Sequence, residues 1–156
     1  MSNRTALLAL LIAVVGCATS DAADDRAPPS AYPNRTLTPG ETFAGVTAAE
    51  VCVPGYARRV RFVPVAEMRA VDREYHVRYV RGESAIDHLI PLELGGDNGI
   101  RNLWPQPYGG AWSAGRKDEL ENELHDRVCS GALALEEAQR IIVRDWIAAY
   151  RRYVGR

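Results

Sequence analysis

The chain has 156 residues, enough for one domain with a modest core. Its 19 basic and 20 acidic residues leave a net charge of -1. That balance argues against a non-specific nucleic-acid coat protein, which would be clearly basic. It leaves a nuclease open, because local patches matter more than the sum.

The first residues read as an export signal. Met1 to Thr5 is short and polar with Arg4 as its charge, and Ala6 to Val15 is an unbroken apolar run. Ten such residues are too few for a permanent membrane span but suit the apolar region of a signal peptide. The run ends at Val14-Val15-Gly16-Cys17, and small residues before a cysteine resemble the bacterial lipobox. That resemblance implies a lipid on Cys17 and a membrane-anchored protein of the cell envelope, facing periplasm or exterior. An ordinary secretory signal cleaved nearby, or a buried helix, is the alternative. With Cys17 set aside, Cys52 and Cys129 form an even pair, which in an exported chain suggests one disulfide. It would close 77 positions (129 minus 52), worth roughly 4–5 kcal/mol by loop entropy. Two free buried thiols are the alternative. Neither cysteine has the C-x-x-C spacing of a redox or zinc site.

The expected organisation is a signal over 1–17, a disordered tether over 18–45 and a folded domain over 46–156. From Ala18 to about Gly40 the chain is rich in Ala, Asp, Ser, Thr and Pro, with little to bury. Thr47-Ala48-Ala49-Glu50 has capping-box spacing and predicts a short helical turn before Pro54. Val65, Met68 and Val71 predict a helix from Pro64 to Asp72. Tyr75 to Val80 is short and β-rich. Ser84 to Ile90 reads as the first strand of a hairpin and Ile100 to Trp104 as the second, stopped by Pro105 and Pro107. Gly95-Gly96-Asp97-Asn98-Gly99 is the loop between them. Ser113 caps a helix to about Val128, striped by Leu120, Leu124 and Val128. A last helix runs from about Leu135 to Tyr153, with Glu136 and Glu137 in its first turn.

The chemistry concentrates on Asp87-His88-Leu89-Ile90-Pro91-Leu92, followed by Gly95-Gly96 and Asn102-Leu103-Trp104-Pro105. Hydrolysis of an anionic phosphodiester needs a positioned water, a base for its proton and a cation on the developing charge. His88 is the residue type for the base. Asp87 can hold a hard divalent cation, and Asn102 can fix the imidazole tautomer. Neighbours on a regular strand point to opposite faces, so Asp87 and His88 share a site only if the strand ends or bulges there.

The Asp-His motif with Gly95-Gly96 and Asn102-Leu103 resembles the HNH endonucleases, also called ββα-metal or His-Me finger nucleases. Cys52-Val53-Pro54-Gly55-Tyr56, Asn102-Leu103-Trp104-Pro105-Gln106, Lys117-Asp118 and Val128-Cys129-Ser130-Gly131 extend the resemblance to small exported bacterial HNH-like proteins, over roughly residues 47 to 150. It implies a small α+β fold, a ββα hairpin–helix unit with an added C-terminal helix. It also implies that His88 is the general base, Asp87 a metal ligand and Asn102 the residue that holds the imidazole. HNH enzymes usually place a His or Asn early on the helix as a second ligand, and Ser113 to Glu121 has neither. Asp118 and Glu121, three apart on one helical face, are the candidates. Lys117 and Arg116 are candidate phosphate contacts. The expected cofactor is a divalent metal, Mg²⁺ first, with Mn²⁺, Ca²⁺, Ni²⁺ and Zn²⁺ left open. The expected substrate is nucleic acid, DNA before RNA. The rival expectation is an inactive envelope lipoprotein that keeps the fold as a binding or structural module.

Overall fold

Two amphipathic helices carry most of the apolar surface. The computed structural model describes residues 29–77 and 80–155. Helix α4, Ala114–Cys129, buries Leu120, Leu124 and Val128, and helix α5, Leu135–Tyr153, buries Leu135, Ala138, Ile142, Trp146, Ile147, Ala149 and Tyr150. The two pack face to face, and these residues with Val51, Ile90 and Leu94 make the main core. Each leucine removed from water contributes roughly 1.5–3 kcal/mol.

Ahead of this pair lie three shorter helices, α1 (Ala48–Val51), α2 (Tyr56–Val60) and α3 (Val65–Glu74), then strands β1 (Ser84–His88) and β2 (Leu103–Pro107). The strands form a two-stranded antiparallel sheet, with Asp87 opposite Trp104 and His88 opposite Leu103. The described residues are therefore a small α+β domain.

Local chemistry accounts for most boundaries. The Thr47 hydroxyl accepts from the Glu50 amide while the Glu50 carboxylate accepts from the Thr47 amide, closing the capping box of α1. Ser113 stands at the N-cap of α4, but its hydroxyl makes no capping bond. Helix α5 keeps its expected length yet breaks at Asp145, whose backbone is extended (φ -170°, ψ 94°). The Asp145 carboxylate accepts from the Ala148 amide at 2.9 Å, the bond of an N-cap, so a new helical segment starts there.

The second strand begins later than expected. Ile100–Asn102 winds into a 3-10 turn, and the strand then runs through Pro105 and Pro107. Pro105 and Pro107 stand opposite Ile86 and Ser84, two apart, so both donor-less nitrogens turn away from β1 and end no pairing with it. The expected strand Tyr75 to Val80 lies partly outside the described residues. Its described start is the C-cap of α3 at Tyr75 and a left-handed turn at His76 (φ 51°).

The expected signal, Cys17 and the tether up to residue 28 lie outside the described residues. From Pro29 the chain is no tether. It is a strap whose backbone carbonyls serve the buried indoles: Ser30 O accepts from Trp104 Nε1 at 3.3 Å and Ala31 O from Trp146 Nε1 at 2.8 Å. Thr38 is fully buried and donates to Leu103 O at 2.7 Å. Polar composition concealed this, because the strap contributes backbone acceptors more than apolar side chains.

Cys52, at the end of α1, and Cys129, at the end of α4, are joined by a disulfide with Cα atoms 5.5 Å apart. His125, one turn before Cys129, places Nε2 3.1 Å from Val51 O. The disulfide closes 77 positions, so the oxidised protein should exceed a C52A/C129A variant by about 4 kcal/mol of unfolding free energy. Urea denaturation of the two measures this directly, and equal midpoints would contradict it.

Candidate functional site

The hairpin loop is positioned by a close backbone approach that only glycine allows. A Cβ on Gly96 would lie 1.8 Å from Ile90 O and 2.8 Å from Asn102 Nδ2. Gly95 before it is left-handed (φ 78°) and ends the 3-10 turn Leu92–Leu94. The fully buried Asn102 fills the gap that Gly96 leaves. Its amide oxygen accepts from Ile90 N at 2.9 Å, and its Nδ2 donates to Ile90 O and Asp97 O, both at 2.9 Å. All three bonds go to backbone. Asn102 therefore fixes the loop after β1, where the sequence had suggested that it would hold the imidazole.

Another asparagine meets the ring. His88 Nε2 is 3.1 Å from Asn98 Oδ1. Asn98 Nδ2 donates to Val60 O at 2.8 Å, and Oδ1 also accepts from Phe62 N at 3.2 Å. The amide orientation is thus set by two backbone partners, and Oδ1 is an acceptor. Nε2 must then carry the proton, which leaves the lone pair on Nδ1. His88 is 2 % exposed. Burial lowers its pKa below the ordinary 6.5, against the opposing pull of the Asn98 bond and Asp87, while Arg61 and Lys117 lower it further. The ring is neutral at pH 7.

Strand β1 ends at His88, which meets the geometric condition for sharing a site. The two side chains nevertheless find different partners. Asp87 Oδ2 accepts from Lys117 Nζ on α4 at 2.9 Å. The same ammonium donates to His88 O at 2.6 Å and to Glu121 Oε1 one turn along the helix. Lys117 is fully buried, with Nζ 5.2 Å from the centre of the Trp104 ring. Three N–H donors meet three acceptors, which suits an ammonium and not a planar guanidinium. Burial works against the charge, but Asp87 and Glu121 outweigh it and hold Lys117 protonated well above its ordinary range.

One ammonium neutralises one of the two carboxylates. The second, Glu121, is pushed up to about 8 by burial, with Lys117 opposing and Asp87 adding to the rise. Asp118 is exposed on the same helix, and its carboxyl is raised by loss of solvation and by Asp87. Half-buried Glu93 is raised by burial, with Lys117 and His125 opposing.

Of the expected site residues, the structure brings Asp87, Lys117 and Glu121 together and sets His88 beside them with a different partner, Asn98. Lys117 cannot meet a phosphate from inside the protein. Arg116 lies 5.3 Å over the Tyr150 ring and donates to its hydroxyl at 3.0 Å, turned to α5 rather than to the hairpin. Nor does the donor set fit a divalent cation. The inner oxygens of Asp87 and Glu121 already face an ammonium. Among the described residues, the one group of three potential ligands within 4.8 Å of one another is Cys52, His125 and Cys129, and those two sulfurs are bonded to each other.

Asn98 carries no signal in the sequence beyond its place in a glycine loop, where an Asn reads as a turn residue. Arg61 belongs to the arginines that concentrate before the Asp-His motif, Arg58, Arg59, Arg61, Arg69, Arg73, Arg78 and Arg81, which read either as a track for a phosphate backbone or as a solvated, ion-paired surface. Lys117 did carry a signal. It is the only lysine among 19 basic residues, and it stands three positions before Leu120 on the apolar stripe of α4. Comparison with protein-family models, with curated proteins and with solved structures finds no match for this chain.

The raised carboxyl gives the site a pH signature. Glu121 retains its proton up to about 8, whereas the unfolded chain releases it near 4.5. Between those values the folded state binds the extra proton, so its stability falls as pH rises. Glu121→Gln should flatten that stretch of the stability profile, measured by urea denaturation across the range. An unchanged slope would contradict the assignment.

Proposed function

We propose that the protein hydrolyses phosphodiester bonds of nucleic acid with His88 as general base, on an HNH-like ββα unit made by β1, β2 and α4. The observation that carries this reading is the Asn98–His88 bond, which commits Nε2 as donor and leaves Nδ1 as the basic nitrogen of a neutral ring. Strand order supports it: the imidazole closes the first strand, and the helix after the second strand contacts the residue beside it.

In the reaction His88 Nδ1 takes a proton from water. The water oxygen bonds to phosphorus, the bond from phosphorus to the leaving oxygen breaks, and that oxygen takes a proton from solvent. Charge on the phosphoryl oxygens is met by Arg61, an exposed guanidinium whose field already reaches His88. Arg58 and Arg59, also exposed, extend the basic surface of α2. No step runs through a divalent cation, because Lys117 faces the carboxylates that would hold one. The proposed substrate is DNA before RNA; a water nucleophile needs no 2′-hydroxyl, so DNA is open to this chemistry. A disulfide supports an oxidising compartment outside the cytoplasm, which accords with an exported, lipid-anchored protein.

A second reading is favoured by one observation. His88 is 2 % exposed, so substrate reaches only an edge of the ring. On that reading the domain binds a partner and cleaves nothing.

Purified protein incubated with plasmid DNA and with RNA, in Mg²⁺ and separately in EDTA, separates the two. The hydrolytic reading predicts cleavage that His88→Ala lowers by about 10²–10⁴-fold. It also predicts an acid limb of kcat/KM below pH 6.5, because His88 is depressed from that ordinary value and the neutral ring is the active form. No cleavage in either buffer, or equal cleavage by the variant, would overturn it.

A further inference from the structure

The one lysine of this chain sits where the sequence had led us to expect a metal. Its Nζ is held by Asp87 Oδ2 at 2.9 Å, by His88 O at 2.6 Å and by Glu121 Oε1, with a side-chain exposure of 0 %. The two carboxylates are themselves mostly buried, at 20 % and 12 % exposure. The face of Trp104 stands 5.2 Å from Nζ. Every donor of the ammonium is used, and every acceptor belongs either to the end of β1 or to α4.

We propose that Lys117 is the resident cation of the Asp87–Glu121 pair, so that these carboxylates take no divalent metal while it is in place. The physical reason is exclusion. A hard cation needs carboxylate oxygens in its inner shell at little more than 2 Å. The ammonium already lies against one oxygen of each, and a second positive charge beside it in a site of low dielectric is repelled. Solvent cannot reach Nζ to relieve that repulsion. The same contacts make Lys117 a positioning residue, because its bond to the His88 carbonyl ties the strand end that carries the imidazole to α4.

Arginine at this position would not substitute. Its planar fork presents five donors to a pocket with three acceptors arranged around one point. That the other basic residues are all arginine, eighteen of the 19, sharpens the contrast.

The inference concerns binding and holds whether or not the protein is a hydrolase. A protein that cleaves nothing can satisfy it, and an active nuclease can fail it. The test is a titration of the disulfide-intact protein with Mn²⁺, read by electron paramagnetic resonance. Wild type should show no site that Asp87→Asn removes. Lys117→Met keeps the length and the apolar stem but frees both carboxylates. It should gain a site at least tenfold tighter than any in wild type, and the added Asp87→Asn change should abolish that site. Lys117→Gln, which retains hydrogen-bond donors, is the second variant. An Asp87-dependent Mn²⁺ site in wild type would overturn the proposal, as would folded variants that gain no site. Should neither variant fold, the wild-type titration decides alone: an Asp87-dependent site refutes the proposal, and none supports it.

Discussion

A buried ammonium is the constraint on which the site depends. Lys117 carries a full charge into the interior, where an unpaired charge costs several kcal/mol. It is tolerated because three acceptors converge on it and an aromatic face lies nearby. Those acceptors come from two elements far apart in sequence. The interaction therefore does more than offset desolvation: it sets the register of α4 against the end of β1. Glu121 shows the cost of that interior, since burial above all, with the Asp87 charge adding to it, keeps its proton on to about pH 8.

Around that contact, neutral polar groups do the finer positioning. Asn102 and Gly96 form a unit in which one residue has no side chain so that the other can reach three backbone partners. This fixes the chain immediately after His88. Asn98 then fixes the ring itself, with its amide held by the last residue of α2, Val60, and by Phe62 just after it. The imidazole is thereby tied to three parts of the chain, and its tautomer follows from the backbone. The disulfide holds α1 to the end of α4.

Much of this was legible in the residues. The capping box at Thr47, the apolar stripe of α5 and the short strand ending in Asp87-His88 all lie close to where spacing put them, because each is a local or periodic pattern. The rest was concealed for physical reasons. Pro105 and Pro107 read as terminators, but their nitrogens turn away from β1 and leave the pairing intact. The strap after Pro29 reads as disorder because its role is to offer carbonyls to Trp104 and Trp146. Asp145 breaks α5 without a proline or glycine to announce it. At the site, Asp87 and His88 stood out by residue type, and Asn98 did not, because its partners are backbone atoms brought in by folding. The resemblance over Lys117-Asp118 makes Lys117 a candidate phosphate contact. Its solitude in the composition and its place on the inward stripe pointed the other way.

The hydrolytic proposal and the resident cation are linked through His88, whose carbonyl binds the ammonium and whose ring is the proposed base. If the ammonium is in place, the strand end is rigid and the carboxylates are satisfied without metal. Because the chain contains one lysine, ¹⁵N-lysine labelling gives a single side-chain ammonium resonance that needs no assignment. A proton-detected ¹⁵N spectrum of that group at neutral pH is the most direct measurement of the central claim. The account predicts a slowly exchanging NH₃⁺ signal whose position does not move when Mg²⁺ is added in excess. A rapidly exchanging ammonium, or a signal displaced by Mg²⁺, would contradict it.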